Sequence, residues 1–357
     1  MFNPGRLAIA RQRRQLTKKS LAELAGITPL TLTRIETGVT VDPENATVKA
    51  LASALGYPLE FFFGDDVEIF PEESVSFRSL SSLTARQKEA ALAAGHHALM
   101  IDRWVRDRFD LPQQDFIDLR GEDPESAAIA LRSHWGLGTK PIPSMIKLLE
   151  AKGVRIFSLE ESNHNVDAYS CWKGGMPFVF LNTMKSAERS RFDAAHELGH
   201  LVLHIHGTFG NRDNERDADR FASAFLIPRD DLISIVPHSP RLAKLIELKK
   251  RWGVSVSALA RATFDIGLLS DWHYKELCKQ ISISGYRRDE PEGMERERSI
   301  LWRKVFEHLW IDGLSRDHVA KLLALPSDQL QALLHGVLDQ QAALPEAAPK
   351  KPQLRIV

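Results

Sequence analysis

Residues 196–200 read His-Glu-Leu-Gly-His, inside a segment whose pattern predicts a helix from about residue 187 to residue 204. Histidines four positions apart lie on one face of a helix, so His196 and His200 can bind one metal ion. Glu197 lies beside them, in position to act as a general base toward a metal-activated water. The motif therefore predicts metal-assisted hydrolysis.

Two histidines do not complete a catalytic zinc site, which commonly has three protein ligands and one open position. His206 has the spacing of a third histidine, but Leu203 stands where that pattern needs a helix-breaking glycine. The alternative is an acidic residue on the next helix. The apolar stripe there runs through Ala218, Phe221, Ala222 and Phe225. Glu215 lies near that stripe and Asp217 points away from it, so Glu215 is the predicted ligand.

Three further residues are assigned supporting roles. Asp219 is four positions after Glu215 and is expected to orient a ligand histidine. Tyr169, in a predicted strand, is the candidate donor to a developing oxyanion. His204 is expected to have a structural or substrate-side role rather than to bind the metal.

Two segments, residues 191–204 and residues 215–228, carry a specific resemblance. They resemble the ImmA/IrrE family of metallopeptidases, whose pattern is R-x-x-x-A-H-E-L-G-H-L-x-L-H followed by E-x-E-A-N-x-F-A-x-x-L-L-x-P. The chain has Asp217 and Asp219 where that family commonly has Glu and Asn. The resemblance spans about residues 125–240. It implies a zinc-dependent, site-specific endopeptidase that cleaves repressors after a stress or transfer signal.

Residues 17–37 have the spacing of a helix-turn-helix, with Ala22 at the helix crossing and Gly26 in the turn. They resemble the Xre/Cro-type repressor domain, whose recognition helix would run from Pro29 to Glu36 and enter the major groove. The residues expected to contact DNA lie on or beside this helix and in the basic segment before it. They are Thr28, Leu30, Thr31, Thr33, Arg34, Lys18 and Arg14.

Charge supports double-stranded DNA as the partner of this region. The whole chain has 47 basic and 47 acidic residues, but the first 50 residues hold eight basic and four acidic ones. Six of those eight cations come before residue 20, and such a local basic face commonly binds phosphate. A homodimer on a two-fold DNA site is expected for this class of DNA-binding domain.

Length and composition limit the remaining possibilities. A chain of 357 residues is too long to fold around a single hydrophobic core, so two or three domains are expected. The sequence contains no apolar run long enough to predict a membrane span. Met1–Arg14 lacks the apolar part of a secretory signal. The two cysteines, Cys171 and Cys278, lie far apart, which favours a reducing cytoplasm over a disulfide scaffold.

The sequence thus predicts a mainly α protein with a small β-sheet, of the α+β class. Its expected parts are a five-helix DNA-binding domain, a connector, a zincin-like metallopeptidase domain, a C-terminal helical domain and a disordered tail. Their predicted limits are 1–65, 66–124, 125–240, 241–342 and 343–357. Residues 313–323 resemble the start of a second helix-turn-helix, although packing or a partner surface is the favoured interpretation.

The predicted function is a DNA-binding transcriptional regulator that carries a zinc endopeptidase domain, with a repressor or other regulatory protein as its substrate. Two alternatives remain open at this point. In one, the metallopeptidase-like domain senses a metal or ligand without cutting. In the other, the chain is an antitoxin-like binder of DNA and protein. All three bind DNA, so cleavage distinguishes them.

Overall fold

The computed structural model describes residues 1–70, 84–159, 168–204 and 212–338. Within these ranges the chain forms sixteen α-helices and one three-stranded sheet. The predicted mainly α architecture with a small sheet is therefore confirmed. His206 and the tail after residue 338 lie outside the described residues. None of the described helices combines the length and apolar character needed to cross a membrane.

The N-terminal unit consists of four α-helices and a 3₁₀ turn around one core. They are α1 (Pro4–Arg13), α2 (Lys18–Leu24), α3 (Pro29–Glu36), α4 (Asn45–Leu55) and the 3₁₀ turn (Leu59–Phe63). Thr17 and Thr28 cap α2 and α3 by accepting backbone N–H bonds, as their positions in the sequence predict. Gly26 has a φ of +66°, which the turn between these helices requires and glycine supplies without strain.

A long helix, α5 (Ala85–Arg106), connects the N-terminal unit to the rest of the protein. Thr84 and Gln87 start it with a reciprocal capping box. Two adjacent histidines on this helix, His96 and His97, are buried, and the Nδ1 atoms of both have no hydrogen-bond partner among the described residues. His97 Nε2 lies 3.4 Å from the Tyr57 hydroxyl of the N-terminal unit.

Because these two histidines are buried, we expect acid to destabilise the fold. Burial, with a smaller effect from the charge of Lys173, lowers the pKa of His96 to about 4. Burial also lowers the pKa of His97 well below its usual value. The unfolded chain therefore binds these protons more tightly, and stability falls as the pH drops below about 6.5. From His96 alone, we expect the free energy of unfolding to fall by about 2 kcal/mol between about pH 7.5 and pH 5.

Denaturant titrations at the two pH values measure this loss. His96→Phe should remove its share of the pH dependence, because a phenyl ring keeps the stacking on Phe70 and does not ionise. His238→Phe, at an exposed histidine, is the matched control and should leave the pH dependence as in the wild type. An unchanged pH dependence in His96→Phe would contradict the prediction.

The central unit surrounds the sheet. Its elements are α6 (Pro124–His134), α7 (Met145–Ala151), β1 (Arg155–Ser158), β2 (Ala168–Lys173), β3 (Met176–Leu181), α8 (Ala187–Leu203) and α9 (Arg212–Leu226). The strand order is β1-β3-β2, with β1 parallel and β2 antiparallel to β3. Gly174 and Gly175, both at positive φ, form the tight turn of the predicted β2–β3 hairpin.

Two contacts fix the helices that carry the metal-binding motif. α8 packs on β2, where the Trp172 indole N–H donates to the Leu201 carbonyl at 3.2 Å. α9 crosses α8 at Gly199, where a Cβ would come within 3.2 Å of the Ala218 Cα. A side chain at residue 199 would therefore force the helices apart, so the motif glycine permits their close approach.

The regular elements in the C-terminal part of the described chain are all helices. They are α10 (Arg229–Ile235), α11 (Leu242–Trp252), α12 (Val256–Asp265), α13 (Asp271–Ile283), α14 (Leu301–Ile311), α15 (Arg316–Leu322) and α16 (Ser327–Leu334). Residues 284–300, between α13 and α14, are not helical. Buried charge ties this part to the central unit, because Lys249 Nζ lies 3.0 Å from Glu188 Oε1 on α8. α16 packs on β1 and α5.

Candidate metal centre and recognition helix

The two motif histidines project from one face of α8 and meet at their Nε2 atoms. The distance from His196 Nε2 to His200 Nε2 is 3.0 Å. His200 is buried, and 16% of the His196 side chain is exposed. The i, i+4 spacing thus brings together two nitrogen donors that can share one cation.

Glu215 reaches the same point from α9. Its carboxylate oxygens lie 3.4 Å from His196 Nε2 and 3.6 Å from His200 Nε2. Among the described residues, these three form the one group of His, Cys, Asp or Glu side chains that could hold a metal ion, with their ligand atoms within 4.8 Å of one another. The structure brings Glu215 to the histidines, and Asp217 is not part of this group.

The donors of this cluster fit a divalent cation. Glu215 Oε1 is buried and has no hydrogen-bond partner among the described residues. This acceptor is therefore available to a cation held between Glu215 and the two histidines. Burial opposes protonation of His196, but hydrogen bonds to Asp219 and Glu215 outweigh it and raise the pKa of His196 to about 10. Burial and the charge of His196 lower the pKa of His200. The cluster therefore attracts one positive charge, and two imidazoles with one carboxylate are a common zinc ligand set.

Each ligand histidine is held by its other ring nitrogen. His196 Nδ1 lies 2.9 Å from Asp219 Oδ1, the contact predicted for Asp219. His200 Nδ1 lies 3.1 Å from His204 Nδ1, so His204 contacts a ligand histidine and is not itself one of the three candidate ligands. Such contacts fix the ring orientation and turn both Nε2 lone pairs toward the metal position.

Glu197 is buried against β2, where Ser170 holds it. Ser170 Oγ donates to Glu197 Oε2 at 2.6 Å, and burial raises the pKa of Glu197 to about 7. Sequence reasoning missed Ser170. Side chains alternate between the two faces of a strand, so residues 168, 170 and 172 share one face. That alternation was the only sequence signal for Ser170. The packing of α8 on β2 shows which face of the strand meets the motif helix.

The same alternation separates Tyr169 from the cluster. Tyr169 projects from the opposite face of β2 and its hydroxyl donates to the Ala91 carbonyl on α5 at 3.0 Å. Its ring stacks on Phe180, and the residue is fully buried. The structure therefore does not bring Tyr169 to the histidines, and the expectation that it stabilises an oxyanion lacks the necessary geometry.

The recognition helix α3 presents most of its predicted contact residues to solvent. Leu30 is 66% exposed, although leucine side chains are more often buried. Thr28, Thr31 and Arg34 are exposed as well, and Thr33 is half-buried with its hydroxyl on the Pro29 carbonyl. Leu32 and Ile35 face the core of the unit. α3 thus has one buried face and one face open to a ligand.

The two predicted contacts outside α3 and its cap differ in their surroundings. Lys18 lies at the start of α2 near Glu36, with 42% of its side chain exposed. Arg14 instead turns toward α16, where its Nη1 lies 2.6 Å from Asp328 Oδ2, and its Nε donates to the Leu55 carbonyl. The assignment of Arg14 to DNA therefore needs correction, because local charge density gives no direction for a side chain.

Both sites lie in regions of the chain that match protein families. Residues 149–264 match the IrrE N-terminal-like domain, a peptidase family, and residues 7–62 match a helix-turn-helix family. The chain joins an Xre-type helix-turn-helix domain to an IrrE-like domain. The IrrE-like match includes the sheet, α8 and α9, and it extends past the expected residue 240 into α12. No curated protein matches the chain. Neither matched range includes residues 301–338.

Proposed function

We propose that the protein is a DNA-binding transcriptional regulator whose IrrE-like domain is a zinc-dependent endopeptidase. Its substrate would be a repressor or another regulatory protein, cut in response to stress or a cellular signal. The observation that carries this proposal is the convergence of His196, His200 and Glu215 beside the buried carboxylate of Glu197. Neither Cys171 nor Cys278 forms a disulfide, which is consistent with a cytoplasmic location.

The side chains of the site divide into two roles. His196, His200 and Glu215 would hold the ion, which when bound polarises a peptide carbonyl and makes a water acidic. Ser170 keeps Glu197 Oε2 in place, so Oε1 is the atom that would take the proton of the attacking water. Glu197 would then pass that proton to the leaving amine nitrogen. Burial raises the pKa of Glu197, so this carboxyl binds a proton more readily than an exposed glutamate does.

The DNA-binding role rests on the open face of α3. This face carries Leu30, Thr31 and Arg34, all exposed. In this domain class, side chains at such positions contact base edges in the major groove. Thr28 at the helix cap and Lys18 at the start of α2 would contact phosphate. A homodimer would place two such helices on the two halves of a palindromic site.

Two measurements test the proteolytic function. Purified protein should contain about one zinc ion per chain. Incubated with a proteome from the same cells, it should create new amino termini at a small number of sites. A chelator should abolish those termini, and added zinc should restore them. The absence of zinc, or of any zinc-dependent cut, would reject the endopeptidase.

Replacing the arginine of α3 should relax the sequence preference for DNA. Arg34 can donate two hydrogen bonds to a guanine edge, so we expect Arg34→Ala to cost about 1–3 kcal/mol at one base pair. Titrations of site variants at one salt concentration would locate that base pair. Arg229→Ala, an exposed arginine on α10, is the matched control and should bind as the wild type does. Equal discrimination by Arg34→Ala and wild type would contradict this assignment.

A further inference from the structure

The last three described helices repeat the boundaries of the first three at a constant distance of 298 residues, except that α14 begins one residue early. α2 begins at Lys18 and ends at Leu24, and α15 begins at Arg316 and ends at Leu322. α3 (Pro29–Glu36) corresponds in the same register to α16 (Ser327–Leu334). α14 ends at Ile311, which corresponds to Arg13 at the end of α1. We call residues 299–336 the C-terminal tri-helix.

The turns follow the same register. Three positions of the N-terminal unit have positive φ in its first 38 residues, and each has a counterpart 298 residues later. The pairs are Gln15 and Gly313, Gly26 and Ala324, and Gly38 and Gly336. An alanine at positive φ is uncommon, so the turn before α16 is kept where the sequence no longer supplies glycine.

Backbone hydrogen bonds and caps also coincide. The Ile27 N–H donates to the Ala22 carbonyl, and the Leu325 N–H donates to the Ala320 carbonyl, at 3.0 and 2.9 Å. Thr17 caps α2 by accepting the N–H three residues later, and Ser315 caps α15 in the same way. The two helix-turn-helix backbones therefore agree bond for bond at these positions.

The buried positions agree while the side chains differ. Val319 and Ala320 are buried where Leu21 and Ala22 are buried, and Ala320 again supplies the small residue at the helix crossing. A charged pair is replaced by apolar residues. Arg11 bonds Glu36 in the N-terminal unit, whereas the corresponding residues are Leu309 and Leu334, both buried. Such replacements keep these positions buried and reduce the sequence similarity.

Two residues of α16, the counterpart of the recognition helix α3, bind arginines of the N-terminal unit. Asp328 corresponds in register to Leu30, and it pairs with Arg14. Gln329 corresponds to Thr31, and its Oε1 accepts from Arg13 Nε at 2.6 Å. Gln329 is only 6% exposed, because it lies against α1. An aspartate at this position would repel a phosphate, so the face suits a guanidinium pair and not DNA.

We propose that the C-terminal tri-helix is a second helix-turn-helix unit whose recognition helix binds Arg13 and Arg14 of the first unit instead of DNA. α16 also packs on β1, and His335, the residue after α16, accepts from Thr183 Oγ1 through its carbonyl at 3.0 Å. The tri-helix thereby anchors the DNA-binding domain to the IrrE-like domain. The exposed face of α3 stays open in this arrangement.

Hydrogen exchange of the full chain tests the anchor. Asp328→Arg sets like charges against Arg13 and Arg14, and we expect exchange in residues 11–16 and 327–334 to accelerate about fivefold. Asp328→Asn, a milder change, should give a smaller acceleration. The charge exchange Asp328→Arg with Arg14→Asp should return the rates to within about twofold of wild type.

The control is Asp317→Arg, which makes the same charge change at an exposed residue of α15. It should leave exchange at both segments as in the wild type. Wild-type rates in Asp328→Arg, or a charge exchange that restores nothing, would overturn the anchor.

A DNA titration tests the choice of partner. Gln331, exposed on α16, corresponds in register to Thr33. In full-length Arg34→Ala, the further change Gln331→Ala should leave the remaining salt-dependent DNA affinity within about twofold. A loss of about tenfold or more would show that α16 reads DNA, and would overturn the assignment of α16 to the arginine pair.

Discussion

Glu197→Gln should keep its zinc and lose nearly all cleavage. Glutamine has the volume of glutamate, and its amide oxygen can still accept the hydrogen bond from Ser170 Oγ. The amide cannot take a proton from water, and general-base help contributes about 10²–10⁴-fold to the rate. We therefore expect unchanged zinc content and unfolding temperature, with a cleavage rate at least about a hundredfold lower. Zinc analysis and fragment quantification measure the two effects separately.

The control is Glu89→Gln, an exposed glutamate on α5, which should cleave as the wild type does. The same pair of variants distinguishes an enzyme from a sensor. Reporter repression and integrity of the target protein should be followed with and without the inducing stress. If Glu197→Gln relieves repression as well as wild type, with no fragment from either protein, the metal site acts as a switch without proteolysis.

Glu215→Ala should lose the zinc ion itself. This change leaves two protein ligands, His196 and His200, and catalytic zinc sites commonly need three. The fold should survive, because Glu215 is a partly exposed residue and lies outside the buried stripe of α9. We expect the zinc content to fall from about one ion per chain to near zero, and cleavage to fall with it. Competition with a chromogenic chelator measures the affinity.

Two aspartates of α9 provide graded comparisons for this variant. Asp217→Ala should keep full zinc, because Asp217 is not part of the metal-binding group. Asp219→Ala should weaken zinc affinity about 10–100-fold, because Asp219 orients His196 through its Nδ1. Full zinc retention by Glu215→Ala would show that another side chain completes the site.

Local spacing in the sequence was sufficient to predict most of the cluster. His196, Glu197 and His200 lie within one helix, so the 3.6-residue period alone decides that they share a face. The choice of Glu215 over Asp217 needed one further step, which was the apolar stripe through Ala218 and Phe225. That stripe must face the core, and its direction fixes the side of α9 that meets α8.

The supporting residues were harder to predict because they depend on which strand face meets which helix. The sequence predicts that Tyr169 and Ser170 project from opposite faces of β2. It does not state that α8 covers the face of Ser170 and α5 the face of Tyr169. The tertiary packing alone made Ser170 the partner of Glu197 and turned Tyr169 away.

The same distinction holds for the whole chain. By itself the sequence determined the recognition helix, the metal-binding helix, the β2–β3 hairpin and the mainly α class, because caps, turns and periodicity act over a few residues. Only the tertiary structure decided that Arg14 pairs with Asp328, 314 positions away. It also decided that residues 299–336 repeat the first helix-turn-helix. A fold preserves buried volume and turn geometry, and different side chains supply both, so the sequence indicates the repeat only around residues 313–323, whereas the backbone shows it over the whole tri-helix.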